Sequence, residues 1–213
     1  MAIYIFPVLC LLACGISIRS EVNNQANLML MFKFIASLAF VGLALYLAAF
    51  NSDYGKWLFI GLIFSLFGDV LLGLKGKKLW FLLGIGAFLL AHVFYAIAFY
   101  RTGFTSSRLA LISPILVAFL ILVLIWLKNH LAGVFKIAVP MYLLAIGAML
   151  LFAWSGGEIN YWIVSGATLF AISDLFVARN RFVKAESINR IIGLPIYYIA
   201  QLMLAYSISE IAV

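Results

Sequence analysis

Charge is what this sequence has least of. Of its 213 residues only 10% are Asp, Glu, Lys or Arg, against 67% hydrophobic and 16% aromatic, with a mean hydropathy of +1.20. A soluble domain carries about 25% charged and 45–50% apolar residues, and a water-borne globule of this size has too little interior to hide the excess. The shortage excludes a soluble enzyme, a disordered chain and a nucleic-acid-binding domain. Cysteine is almost missing as well. Cys10 and Cys14 stand (i, i+4) in one apolar run, with no CxxC or Cys/His spacing, which argues against a disulfide framework and a structural zinc site. Histidine occurs twice, at His92 and His130, fewer than a His-rich zinc site wants. No polar stretch is long enough to be a soluble domain, so chemistry falls to residues on helices or at their ends.

What is present is a series of apolar runs of spanning length, about 20 residues each. Eight are read, at residues 2–18, 28–50, 57–74, 79–100, 109–127, 132–153, 159–178 and 189–212. The fold class expected is an all-α, polytopic membrane protein, residues 1–213 forming one integral membrane domain. The first run ends in a loose lipobox-like Leu11-Leu12-Ala13-Cys14, but no basic residue precedes Arg19, so it reads as a retained span rather than a cleaved leader. The formal charge of +7 reports orientation, not nucleic acid. Arg19, Lys33, Lys75, Lys77, Lys78, Lys128, Lys136, Arg179, Arg181, Lys184 and Arg190 flank the loops after the first, third, fifth and seventh runs; only Lys56, Arg101 and Arg108 lie on the other side. The positive-inside rule makes the first set cytoplasmic and leaves both termini outside. The short loops favour a bacterial inner membrane.

Ionisable groups inside spans are costly and mark function or a buried partner. Glu21, Asp53, Glu158, Glu186 and Glu210 fall in or near loops or at the chain end; Asp69 and Asp174 do not. Asp69 precedes Lys75 by six residues and Asp174 precedes Arg179 by five, which at 1.5 Å per residue sets both about 8–9 Å below the basic loops. Either they pair with Lys33, Lys136 or a tyrosine to hold helices together, or they carry the function. Matched depth favours function. His92 is expected past mid-depth, nearer the outer side, as a packing residue or a ligand. Tyr198 and Gln201, three apart, share a face and either line a site or bridge helices. Lys33 is a snorkelling cation, a phosphate ligand or a partner of an aspartate.

The halves 1–105 and 106–213 match coarsely. Lys33, Asp69 and His92 are separated by 36 and 23 residues, and Lys136, Asp174 and Tyr197 by 38 and 23. Four spans each imply a parallel 4+4 repeat, with both aspartates facing one central cavity at the repeat interface.

These motifs, in this order, resemble the YhhN-like membrane proteins, which include the mammalian transmembrane protein 86 lysoplasmalogenases. The resemblance rests on Lys33, Gly68-Asp69, Ala91-His92 with Tyr95, Ser173-Asp174 with Ala178-Arg179, and Tyr197-Tyr198 with Ala200-Gln201. One departure is that Phe34 follows Lys33 where the family often has proline. The resemblance implies hydrolysis of the lysoplasmalogen vinyl ether to a fatty aldehyde and a glycerophospho-choline or -ethanolamine. That chemistry needs one protonated acid and one anion, as in two-carboxylate glycosidases. Asp69 and Asp174 are the expected catalytic pair, with no cofactor or metal. His92, Tyr95, Tyr197, Tyr198 and Gln201 are expected around the reacting bond, and Lys33, Lys136 and Arg179 around the phosphate. The expected partners are the lysophospholipid substrate and membrane lipids, not nucleic acid. A proton- or cation-coupled transporter and a metal-dependent lipid hydrolase using Asp69, Asp174 and His92 are the competing classes.

Overall fold

In a bilayer the backbone has no water to bond, so an apolar run must satisfy its own N–H and C=O groups, and helix is the conformation that does so within one segment. The computed structural model, which describes residues 2–74 and 78–211, follows this rule. Among the described residues eight helices are long and apolar enough to cross a membrane. They are α1 (Ile5–Val22), α2 (Ala26–Tyr46), α3 (Asp53–Gly73), α4 (Lys78–Arg101), α5 (Ser106–Lys128), α6 (Phe135–Ser155), α7 (Tyr161–Ala178) and α8 (Ser187–Tyr206). The chain is a multi-pass integral membrane protein. Lys75 and Lys77, two of the orientation-setting residues, lie outside the described residues.

The ends depart from the hydropathy pattern where side chains offer the helix a better terminus. Ser52 caps α3 by accepting from the Gly55 amide at 3.0 Å, and Asn160 caps α7 by accepting from the Trp162 and Ile163 amides at 3.0 and 3.1 Å, each satisfying otherwise orphaned donors. Helix α1 runs past Arg19 to Val22 because Glu21 pairs with Arg190 at the head of α8. Helix α2 stops at Tyr46, where the backbone turns through a left-handed Ala48 (φ 57°) into a short 3₁₀ turn. Helix α7 continues beyond Ala178 as a wider π-helical turn, Arg179–Val183.

Helix α3 packs along α4 and α7 along α8. Close approach depends on glycine: a Cβ on Gly61 would sit 2.4 Å from the Tyr95 ring, and one on Gly68 2.6 Å from Phe88. Small residues at such contacts let backbones approach and dispersion replace a hydrophobic drive that lipid does not supply. Helix α5 is peripheral, with only Val123 and Leu127 buried. The C-terminal ends of α1, α3, α5 and α7 share one end of the bundle, called here the basic end.

Candidate functional site

A cavity of about 840 Å³ opens toward the basic end, and both Asp69 and Asp174 line it. Its walls are largely apolar, including Phe81, Phe88, Phe170, Leu143 and Ile146, and Tyr142 and Tyr197 reach it from α6 and α8.

Asp69 is almost fully buried and fully partnered. Lys33 Nζ lies 3.3 Å from Oδ1 and also 3.3 Å from the Asp69 carbonyl; Ser37 Oγ and Tyr197 OH both donate to Oδ2 at 2.7 Å. The ammonium on one oxygen and the two hydroxyl donors on the other orient this carboxyl and favour its charged form against the cost of its burial.

Asp174 is more open, with 12% of its side chain exposed. Tyr142 OH donates to Oδ2 at 3.1 Å, and His92 Nε2 lies 3.2 Å from the same oxygen. The other imidazole nitrogen, Nδ1, is 2.7 Å from the Phe88 carbonyl. A carbonyl only accepts, so Nδ1 carries a hydrogen. In a neutral ring, Nε2 then presents a lone pair to the carboxyl. The approach is close but off the line of a hydrogen bond, leaving Nε2 without an aligned partner. Phe170 stacks on the imidazole at 4.3 Å and fixes the ring plane.

Sequence reasoning set His92 on the outer side of the aspartates; the structure sets it beside Asp174. Two features account for the difference. The π-helical turn carries the seventh span to Val183, so Asp174 lies nine residues from its end, about 14 Å, whereas Asp69 lies four from the end of α3, about 6 Å. Counted to the ends of their own helices, the two aspartates are not equivalent. In addition, helical side chains lean toward their own N-terminus. As α4 and α7 run in opposite directions, His92 and Asp174 lean toward each other.

The other expected residues divide. Lys33 and Tyr197 line the cavity. Tyr95, Tyr198 and Gln201 stand behind its wall: Ser65 donates to the Tyr95 hydroxyl (3.1 Å), which donates to Gln201 Oε1 (2.6 Å), and Tyr198 OH donates to the Lys33 carbonyl at 3.2 Å. These buried bonds tie α3, α4, α2 and α8 together rather than meeting the cavity. Lys136 is exposed on the first turn of α6 and away from the cavity. Arg179 is held in the loop by Glu186 Oε2 (2.8 Å) and Asn189 Oδ1 (2.5 Å). Glu186 faces Lys184 as well, at 2.7 Å, and Lys184 and Arg179 together hold its carboxyl below the usual carboxylate range. Among the described residues no three His, Cys, Asp or Glu side chains are grouped as metal ligands.

Ser37 and Tyr142 escaped the sequence reading, yet a signal existed. Ser37 precedes Asp69 by 32 residues and Tyr142 precedes Asp174 by 32. Beyond each aspartate, 23 residues on, stand His92 and Tyr197, and the contacts cross over: His92 meets Asp174, while Tyr197 meets Asp69. The second-half counterpart of Lys33 at this constant offset is Ala138, not Lys136.

Among the described residues, eight spans around an internal cavity lined by Asp69 and Asp174 define a polytopic membrane protein. The chain belongs to the YhhN family, matching it over residues 28–208. It is similar to human lysoplasmalogenase TMEM86A, 34% identical over 167 residues that cover 72% of this chain and 65% of that protein. It is also similar to a lysoplasmalogenase of Mycobacterium tuberculosis, 30% identical over 199 residues, 91% of this chain and 72% of that one. A pig lysoplasmalogenase TMEM86B is 33% identical over 132 residues, covering 61% and 54%. The chain thus spans 65% of the human relative's length. No solved structure matches it.

Proposed function

We propose that this protein is a membrane hydrolase that cleaves the vinyl ether bond of lysoplasmalogens, releasing a fatty aldehyde and a glycerophospho-choline or -ethanolamine. The names of its relatives support the substrate. The observation that carries the mechanism is the contrast between the two carboxyls of one cavity: Asp69 has a cation beside it and Asp174 an imidazole.

Asp174 acts as the acid. Its proton passes to the outer vinyl carbon, the C=C π electrons form the new C–H bond, and positive charge settles on the ether oxygen and its neighbouring carbon. Asp69, already ionised and oriented, offers a fixed negative field to that oxocarbenium ion without reorganising, which is the usual source of large electrostatic rate gains. Water adds to the cationic carbon and its lost proton restores Asp174. The hemiacetal then collapses: its hydroxyl proton goes to the departing glycerol oxygen, leaving aldehyde and alcohol. His92, fully buried behind Asp174, is a positioning residue that keeps the proton at the cavity wall. The alkenyl chain lies along Leu143, Ile146, Val139 and Val123 on the α5–α6 side. The basic end faces the cytoplasm, as the positive-inside rule requires.

The test is purified protein in detergent with a lysoplasmenyl lipid and its saturated ether analogue, reading released aldehyde. Turnover of the vinyl ether alone is expected, and Asp174→Asn abolishes it in a folded protein. Equal aldehyde from Asp174→Asn and wild type overturns the mechanism; no aldehyde from wild type overturns the function.

A further inference from the structure

The mouth of the cavity holds a second group of charges that the carboxyl chemistry does not use. Arg190 is committed to Glu21 and Lys184 to Glu186. Lys33, expected at the phosphate, is spent on Asp69, and Arg179 is fastened to Glu186 and Asn189. Two cavity-lining cations stand apart from this pattern. Lys78, at the head of α4, and Arg181, in the π-helical turn after α7, have no carboxylate within ion-pair distance among the described residues. Each rests on an aromatic face instead: Arg181 Cζ is 3.9 Å from the centre of the Phe81 ring, and Lys78 Nζ is 5.6 Å from that of Phe135. Phe81 and Phe135 are themselves in edge contact at 5.8 Å, and Phe182 closes on Phe135 at 5.2 Å. One aromatic cluster therefore mounts both cations at the rim.

Stacking of this kind fixes a guanidinium while leaving its in-plane N–H groups free for an anion, and the Arg fork matches phosphate oxygens two at a time. We infer that Arg181 and Lys78 form the phosphate subsite for the headgroup of the lysophospholipid, in place of the Lys33, Lys136 and Arg179 suggested by sequence. This rests on the reading of the cavity as a lysoplasmalogen site. The spacing agrees. Arg181 lies seven residues beyond Asp174, about 10 Å along the helix. In an sn-1 alkenyl glycerophospholipid, seven bonds separate phosphorus from the vinyl carbon that takes the proton, about 9 Å when extended. With phosphate on Arg181, that carbon reaches Asp174, and the chain continues into the apolar depth.

The experiment compares two non-cleavable ligands, a saturated 1-alkyl lysophosphoethanolamine and the corresponding 1-alkylglycerol without phosphate. Affinity is read from intrinsic tryptophan fluorescence in detergent, for wild type, Arg181→Gln, Lys78→Gln and the double variant. Wild type is expected to favour the phospholipid by about 10- to 100-fold, as charge-assisted hydrogen bonds to a phosphate allow. Each single variant narrows the gap and the double variant closes it. A gap that survives in the double variant overturns the subsite. So does equal weakening of both ligands, which marks a structural role or a general attraction to anionic surfaces. Because neither ligand is cleaved, a wild type that keeps the gap but releases no aldehyde from a vinyl ether leaves the subsite standing and removes only the hydrolase reading.

Discussion

Asp69 and Asp174 share a cavity and a residue type but not an environment. Asp69 is enclosed by Lys33, Ser37 and Tyr197; Asp174 borders the cavity with Tyr142 and His92 on one oxygen. Six of the positions involved correspond at one offset in the chain: Ser37 with Tyr142, Asp69 with Asp174, His92 with Tyr197. The difference comes from the remaining one. Lys33 stands four residues before Ser37, and four before Tyr142 stands Ala138. In the proposed mechanism this one missing cation is what separates the anion, Asp69, from the acid, Asp174. Acid–base work on a single bond needs one protonated and one ionised carboxyl, and unlike surroundings assign the two states to particular residues.

That contrast can be broken most forcefully at Asp69. Asp69→Asn strands the Lys33 ammonium in a buried site, and unfolding in detergent is expected to be easier by about 3–5 kcal/mol. Lys33→Met with Asp69→Asn recovers much of the stability but not the aldehyde release. A single variant as stable as wild type in thermal unfolding would mean that the pair carries no structural weight.

Asp174→Asn reverses the pattern: stability stays close to wild type, while kcat falls by about 10²–10⁴, the range of a lost general acid. Next in size, Ala138→Lys copies the first-half cation into the second half. The added ammonium competes for the Asp174 carboxyl, and kcat is expected to fall at least tenfold, about 1.4 kcal/mol of barrier, with folding retained by circular dichroism. Full activity in that variant would refute the idea that the cation makes the difference. Tyr142→Phe removes one donor and costs about 0.5–1.5 kcal/mol, read as a several-fold drop in kcat with little change in KM.

The smallest effect belongs to Glu186, remote from both carboxyls. Its folded-state value lies below the usual 4.5, so its contribution is present above pH 4.5 and lost as the pH falls through the lowered value. Thermal unfolding of Glu186→Gln should differ slightly from wild type near neutrality and converge with it in acid. A change in kcat would tie the loop to the chemistry after all.

Much of this was legible beforehand. Eight spans follow from eight apolar runs, because lipid leaves an unpaired backbone no alternative. Asp69 and Asp174 announced themselves because charge within a span needs a reason. What did not show was set by tertiary geometry. The distance of Asp174 from its helix end depends on a π-helical turn that extends the helix beyond its apolar stretch. The place of His92 depends on two antiparallel helices leaning side chains toward each other. Tyr142 looks like any aromatic on a lipid-spanning helix until its distance from Asp174 is set beside that of Ser37 from Asp69. Lys136 resembles Lys33 in charge, but the offset shared by the other pairs falls two residues further on, at Ala138.

The crossed contacts also bear on how the chain is made. Synthesis delivers α2 and α3 early, so Asp69 enters the bilayer with Lys33 and Ser37 already able to meet it. Asp174 arrives much later, on α7, and finds His92 waiting on a helix inserted long before. At no stage must a carboxyl sit in hydrocarbon for want of a partner still on the ribosome. Tyr197, on α8, then closes over Asp69, so the insertion of that helix is also the step that completes this side of the cavity wall.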